Sequence, residues 1–568
     1  MKKIFQITRN LLKKNYMLVQ KFLRFYKANG FTKAIYRVKE YISVRHKMKA
    51  IAMSQKNSLK PIFISNRFKV SIVVPLYNTP KGLLIEMIES VIGQTYSNWQ
   101  LCMTDGSTAD FAYVEEVVMG YANKDNRISY KKLEDNYGIS ANTNYCLKMA
   151  EGDYIGLLDH DDLLAPDALA EVMCAAENEG ADFIYTDECV FEESPEKPIL
   201  IYYKPDFGMD TLRSYNYISH FVAFSNNLLK KAGDFRTDFD CSQDYDIYFR
   251  LLENAEKVVH IPKILYYWRS HSTSTATDIT LKPAILDRAK LALSEHLVRS
   301  GLEGVVNDSP ARGIYRVSYK IKDNPLVSLI IAGNDNTNGR CIKSIYEKTE
   351  YKNYEVHTVP GIACPTTYNK GMELAKGNYI IFLSSDTEVM EKGWIEEMLM
   401  FAQREDIGIV GSKLYYPDKT ISHAGIVVGL FGSAGCGHRN FPSDHTGYMC
   451  RMYASQNISA VSGACMMVKR DVFDKCNGFH EGYKGAYFDV DFCLRASEKD
   501  YKIIFTPYAE LYHHIEKNRM SVSNNCTIND ENNDEKRFTS IWKNEIQKGD
   551  KFYNPNLTLD SDNYSFRI

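Results

Sequence analysis

The chain has 568 residues, 45% apolar and 25% charged, which excludes collagenous and low-complexity classes and leaves room for roughly three to four domains. With 39 Tyr and 27 Phe beside only 17 Pro, extensive disorder is not expected; no stretch approaches 18 uncharged apolar residues, so neither is a membrane-spanning helix. The net charge of −2 conceals a segregation: residues 1–60 carry 16 Lys/Arg against the single acid Glu40, net +15, and the rest carries 53 bases against 70 acids, net −17.

The basic segment opens the chain. Ile4, Ile7, Leu11, Leu18, Phe22 and Phe25 recur at helical steps among lysines, Gly30 breaks the pattern, and a second helical pattern runs from Thr32 to Met53. Lys13 and Lys14 interrupt any apolar run, which argues against a secretory leader. Two readings stand. The stripe dips into an anionic membrane surface, where each nearby Lys or Arg gains about 1 kcal/mol, or it packs on the chain's own body. No nucleic-acid-binding motif accompanies the charge, so nucleic acid is not the expected partner. The 13 Cys are scattered without a CxxC pair, the pattern of reduced thiols in a cytoplasmic protein.

Beyond the arm, strands alternate with helices. Val70–Pro75 (VSIVVP) reads as a buried strand, Leu83–Ile92 as a helix, and Trp99–Met103 and Tyr154–Leu158 as further strands, which predicts an α/β fold with a mostly parallel, doubly wound sheet. Ligands of such sheets bind beyond the carboxyl ends of the strands. The pattern then repeats. Asn144–Asp161 (NYCLKMAEGDYIGLLDHD) aligns with Asn369–Asp386 (NKGMELAKGNYIIFLSSD), VSIVV at 70–74 with VSLII at 327–331, and Asp244-Tyr-Asp246 with Asp489-Val-Asp491. The span from the first strand to the strand-end Asp is 91 positions in one copy (70 to 161) and 59 in the other (327 to 386), so about one strand–helix unit is missing from the second.

Four groups of residues offer chemistry, each with a structural alternative. Asp159, Asp161 and Asp162 crowd one strand end, where a hard divalent cation would offset their repulsion; the alternative is a solvated turn capping the next helix. Asp105, in TDGS, can accept from a nucleobase or ribose, or simply form a turn. Asp244 precedes an apolar helical run, as a helix cap or as a general base. Trp268, Arg269 and His271 follow a strand, and could meet a diphosphate or metal or serve packing.

Taken together these residues resemble the family 2 glycosyltransferases of the GT-A fold, in the tandem-domain type of bacterial surface-polysaccharide biosynthesis. The motifs are VSIVVPLYNTP at 70–80, QTYSNWQLCMTDGS at 94–107, NYGISANTN at 136–144, GDYIGLLDHDDLLAPDAL at 152–169, DFIYTDE at 182–188, SQDYDIYFRL at 242–251 and IPKILYYWRSHSTS at 261–274. The resemblance implies two Rossmann-like nucleotide-diphospho-sugar transferase modules, 68–280 and 325–520, with an arm at 1–60, a connection at 281–324 and an extension at 521–568. It implies an inverting, metal-dependent hexosyl- or deoxyhexosyltransferase using a UDP- or dTDP-sugar, Mg²⁺ or Mn²⁺, and a growing or lipid-linked surface glycan as acceptor. In these terms Pro75, Tyr77, Asp105, Asp159, Asp161, Trp268 and Arg269 would meet the donor, Asp161 and His271 the metal, and Asp244 would be the base. The second copy, through GNYIIFLSSDTEV at 377–389 and YFDVDFCLRASEKDYKIIFTPYAELYHH at 487–514, retains Asp386, Asp489 and the His513–His514 pair but has no counterpart of TDGS. The first module is therefore expected to be the active one. Two other readings remain, a transferase with one activity per module and a non-catalytic glycan- or nucleotide-binding scaffold.

Overall fold

The computed structural model describes residues 47–53, 65–270, 283–333, 335–517, 519 and 526–567. Most of the basic arm, and His271 with it, lies outside the described residues; residues 47–53 are helical, as the second arm pattern anticipates. Chain contacts define two compact units, one made of Met1–Pro61, Cys189–Ile201 and Ile568, the other of Ile62–Glu188 and Tyr202–Arg567. Within the smaller unit, the Ile199 amide donates to the Val190 carbonyl at 2.7 Å. Among the described residues no helix is long and apolar enough to cross a membrane, and no disulfide joins the cysteines.

The chain forms two related nine-stranded sheets. The first has strands β1 (Val70–Leu76), β2 (Trp99–Asp105), β3 (Ile128–Lys132), β4 (Tyr154–Leu157), β5 (Leu163–Leu164), β6 (Phe183–Phe191), β7 (Leu200–Tyr202), β8 (Val222–Ser225) and β9 (Val258–Arg269). Their order is β3-β2-β1-β4-β8-β6-β9-β5, with β7 on β6. β1 pairs in parallel with β2 and β4, and β8 turns antiparallel. The helices are α1 (Lys81–Ile92), α2 (Tyr113–Ala122), α3 (Ile139–Leu147), α4 (Ala168–Glu179), α5 (Met209–Ser214), α6 (Asn226–Ala232) and α7 (Gln243–Leu252). The β-branched run of β1 is buried on both faces except at Pro75, as a strand sandwiched between helices must be. α1 buries Leu84, Met87, Ile88 and Val91, one stripe at helical spacing.

Helix α8 (Pro283–Arg299) and the hairpin β10 (Gly304–Asp308)–β11 (Tyr315–Tyr319) connect the modules. The second sheet has β12 (Val327–Ala332), β13 (Tyr354–Val359), β14 (Tyr379–Ser384), β15 (Thr387–Val389), β16 (Ile407–Tyr415), β17 (Ile421–His423), β20 (Gln456–Asn457), β21 (Cys465–Lys469) and β22 (Lys502–His513). Two further short strands, β18 (Ile426–Val428) and β19 (Ala434–Cys436), form a ribbon of their own. Helices α9 (Asp335–Lys348), α10 (Pro365–Leu374), α11 (Trp394–Ala402), α12 (Arg470–Lys475), α13 (Phe488–Ser497), α14 (Ile528–Ile541) and α15 (Lys543–Lys548) complete it. The order β13-β12-β14-β21-β16-β22-β15 superposes on that of the first sheet with one loss: β13, the counterpart of β2, is the edge, and the counterpart of β3 is missing. The shortfall in the sequence is thus the α2–β3 unit.

Candidate active site

Strand register brings the ends of β1, β2 and β4 to one edge of the first sheet. Leu76 stands opposite Asp105, and Val73 opposite Leu157, two residues before Asp159. The loops there are laced together. The Asn78 amide donates to Ser107 Oγ (2.8 Å), the Thr108 amide to Asn78 Oδ1 (3.0 Å), and Thr79 Oγ1 meets His160 Nδ1 at 2.9 Å. Glycine suits position 106, since a Cβ there would lie 3.1 Å from Asn136 Cα, tighter than most side-chain contacts. Tyr77 is exposed on this edge, beside the half-buried Pro75.

The Asp105 side chain is fully buried. Its Oδ1 accepts the Ser107 amide (2.8 Å), and its Oδ2 accepts both Tyr130 OH and Lys132 Nζ (2.8 Å each). Burial pushes its pKa up, but Lys132, Ser107 and Tyr130 outweigh burial and hold the carboxyl below its ordinary range. Tyr130 and Lys132, both on β3, escaped the sequence reading because only strand pairing joins them to β2.

The aspartates after β4 divide into roles. Asp162 is buried, accepting Tyr266 OH and the Arg269 amide (both 2.6 Å), and burial followed by the charges of Asp159 and Asp161 pushes its pKa well up. Arg269 Nε donates to the Asp161 carbonyl (2.8 Å) and Nη2 to Glu86 Oε2 (2.5 Å), so this guanidinium clamps the loop to α1. Asp159 is 46% exposed, with Oδ2 at 3.6 Å from His220 Nε2. Desolvation raises its pKa, His220 opposes this, and Asp161 adds to it.

His220 is the residue the motif reading passed over. Its ring stacks on Tyr266 (4.8 Å) and meets the Trp268 ring edge-on (5.1 Å), while Nδ1 lies 3.5 Å from Glu188 Oε2. Glu188 also accepts Lys204 Nζ at 3.0 Å, a buried ion pair behind the cleft. Burial opposes charge on the ring, but Glu188, Asp159 and Asp162 outweigh it and bring the His220 pKa up to about 9. A lone His in Ile218-Ser-His-Phe-Val222 carries no motif; the topology of β8 beside β4 brings it beside Asp159.

Asp244 lies in the first turn of α7, where Asn216 Nδ2 donates to its Oδ2 at 2.9 Å. Burial raises its pKa, His220 opposes, and Asp159 adds a smaller rise, so the three groups share one field. Its neighbour Asp246 faces the other way, fully buried and paired with Arg236 and Arg250. One carboxylate of the DYD triplet faces the cleft and the other ties the helix to the body.

The second module differs at each position. Continuing the register from Ala332 opposite Val359, Pro360 stands where Asp105 stands in the first. The Asp386 amide donates to Ser384 Oγ (3.3 Å), and its carbonyl accepts the His514 amide (2.8 Å). Asp489 is in the first turn of α13, as Asp244 is in α7, but is buried: Oδ2 accepts the Gly463 amide (2.8 Å) and Oδ1 that of Val490 (2.9 Å). Burial, against those hydrogen bonds, brings its pKa up to about 6. His513 is buried in β22 opposite Thr387, and His514 Nε2 meets Glu388 Oε2 at 2.9 Å.

No group of three or more His, Cys, Asp or Glu is assembled to hold a metal among the described residues. Asp159 and Asp161 nevertheless suit a hard divalent ion, which takes one or two carboxylates and completes its shell with substrate phosphate and water. The Asp161 charge adds to the rise in the Asp159 pKa that desolvation begins, and such a cation relieves that repulsion.

A model of glycosyl transferase family 2 matches residues 71–233, and one of a glycosyltransferase-like family matches residues 329–545. The chain belongs to glycosyl transferase family 2, with two such modules in tandem. It is 36% identical over 540 residues to the uncharacterized protein y4gI of Sinorhizobium fredii, covering 87% of this chain and 58% of that one. Against the O-antigen biosynthesis protein RfbC of Myxococcus xanthus identity is 30% over 554 residues, 89% of this chain and 41% of that one. The uncharacterized glycosyltransferase MJ1057 of Methanocaldococcus jannaschii is 30% identical over 207 residues, 35% of this chain and 70% of its own. The chain thus spans about half the length of the first two relatives.

Proposed function

We propose that this chain is an inverting glycosyltransferase that moves a sugar from a UDP- or dTDP-sugar to a growing cell-surface glycan, with the first module as the catalyst. The observation that carries the reading is that Asp244, in the first turn of α7 beside Asn216, lies in the electrostatic field of His220, itself 3.6 Å from Asp159, with the Asp244 proton affinity raised by burial. Similarity to a protein named for O-antigen biosynthesis supports the glycan class.

In this reading Asp105, Pro75 and Tyr77 meet the nucleoside, and Trp268 walls the cleft. Asp244 accepts the proton of an acceptor hydroxyl, and that oxygen bonds to the anomeric carbon. The bond from that carbon to the diphosphate breaks on the opposite face, its electron pair leaving on phosphate oxygen. A base with a raised pKa accepts this proton more readily than an ordinary carboxylate. Asp159 and Asp161 would hold Mg²⁺ or Mn²⁺, which, when bound, neutralises charge on the leaving diphosphate. Arg269, clamped to Asp161 and Glu86, serves as a positioning residue.

Asp244→Asn should lower transfer by about 10²–10⁴-fold while nucleotide-sugar binding persists, as loss of a general base does. Turnover and titration calorimetry with a nucleotide-sugar panel measure the two; undiminished transfer in the variant ends the reading.

A further inference from the structure

A cavity of about 340 Å³ opens in the second module, lined by Phe431, Arg439, Tyr487, Asn532, Glu535 and Asp562 among others. Its size falls within the range of small-ligand pockets. It is built from the β18–β19 turn, the start of α13, one face of α14 and the carboxyl-terminal segment. None of these follows β12, β13 or β14, the counterparts of the strands that end at the first module's cleft. Tyr487 of its lining stands two residues before Asp489, the counterpart of Asp244.

The lining has a specific chemistry. Phe431 is 57% exposed, presented at the rim by a left-handed backbone (φ 57°). Asn532 and Glu535 stand one turn apart on α14. Ser433 Oγ donates to Glu535 Oε1 at 2.8 Å and lies 3.1 Å from Tyr487 OH. Glu531 is paired with Arg519 (2.9 Å), which leaves Glu535 and Asp562 facing the one guanidinium of the lining, Arg439, a net acidic lining that disfavours a nucleoside diphosphate. An aromatic face beside carboxylates and an amide suits a ligand with an apolar C–H face ringed by hydroxyls, which donate to carboxylates.

The cavity is also tethered to the first module. Asp562 of its lining lies eight residues beyond Asn554, whose Nδ2 donates to Asp187 Oδ2 at 2.9 Å, next to Glu188 behind the cleft. Eight residues span at most about 28 Å when fully extended. A chain of several sugars covers such a distance.

We propose that this cavity is a saccharide subsite that grips a non-acidic sugar of the acceptor chain at a distance from its reacting end. It rests on the transferase reading for the word acceptor, but its binding is measurable without any transfer. The test uses the full chain, without nucleotide, against immobilised neutral, amino-sugar and acidic oligosaccharides of graded length. Neutral or amino-sugar chains should bind, Phe431→Ala should weaken them about tenfold as loss of an aromatic anchor does, and Phe431→Trp should retain them. Asp244→Asn should leave this binding unchanged, and Phe431→Ala should leave nucleotide-sugar hydrolysis unchanged. No binding, binding of acidic chains only, or binding kept in Phe431→Ala and lost in Asp244→Asn overturns the subsite. Oligosaccharide binding by a protein that hydrolyses no nucleotide sugar would overturn the transferase reading alone.

Discussion

Asp244 and Asp489 occupy the same first-turn position in related helices, yet their surroundings assign them different work. Asp244 accepts from the Asn216 side-chain amide and lies in the field of His220 and Asp159. Asp489 has both oxygens filled by the backbone amides of Gly463 and Val490 and is buried. Asp489→Asn should therefore leave the set of glycosidic linkages unchanged, as product analysis by mass spectrometry and NMR would show; loss of one linkage would favour an activity in each module. A base must be deprotonated to act, so transfer should fall as pH drops through the Asp244 pKa. Because that value is raised, the fall begins at higher pH than for an ordinary carboxylate. A pH–rate profile checks this, and a flat acid side would count against Asp244 as base.

At the scale of elements, one edge strand separates the modules. β3 supplies Tyr130 and Lys132 to the buried Asp105, and the second sheet ends at β13 with Pro360 at the equivalent place. Removing one partner of a buried charged hydrogen bond costs about 1–3 kcal/mol. Lys132→Met should destabilise the protein by about that much, and Asp105→Asn should recover part of the loss, because the uncompensated charge is then gone. Denaturant melts of the two single variants and the double variant read this coupling; strictly additive effects would show that the pair is not coupled.

Over the larger unit, the two modules are joined by buried polar contacts. Asp210 of α5 meets Arg404, whose Nη2 lies 3.2 Å from Oδ2, and Arg213 at 3.1 Å, while the Asn457 side chain accepts the Asp210 amide at 2.9 Å. Arg213 in turn donates to His296 of α8 at 3.0 Å. Burial would raise the Asp210 pKa, but Arg404 and Arg213 outweigh it and hold the carboxyl far below its usual range. A depressed pKa contributes stability above the unfolded value near 3.9, lost as pH falls through the folded one. Asp210→Ala at neutral pH removes the carboxylate that two buried guanidinium groups share, leaving Arg404 with the Asp406 carboxylate alone, and breaking such a buried pair costs about 3–5 kcal/mol. The variant should melt well below the parent in calorimetry; an unchanged melting temperature would mean the contact contributes nothing.

The sequence by itself determined the alternation of strands and helices, the duplication, the missing unit and the aspartates at strand ends. These follow from local hydrophobic period and from repeated letters, which one chain displays without reference to its folding. Tertiary structure decided which polar residues meet. Lys132 reaches Asp105 across a strand pair, His220 reaches Asp159 because β8 lies beside β4, and Asn554 reaches Asp187 across 367 positions. It also separated Asp159 from Asp162, which stand three positions apart in LLDHDD: one faces the cleft and the other is buried under Tyr266 and the Arg269 amide. Spacing fixes what type of group stands at a strand end, but burial and long-range pairing set its charge, and those depend on residues far away in the chain.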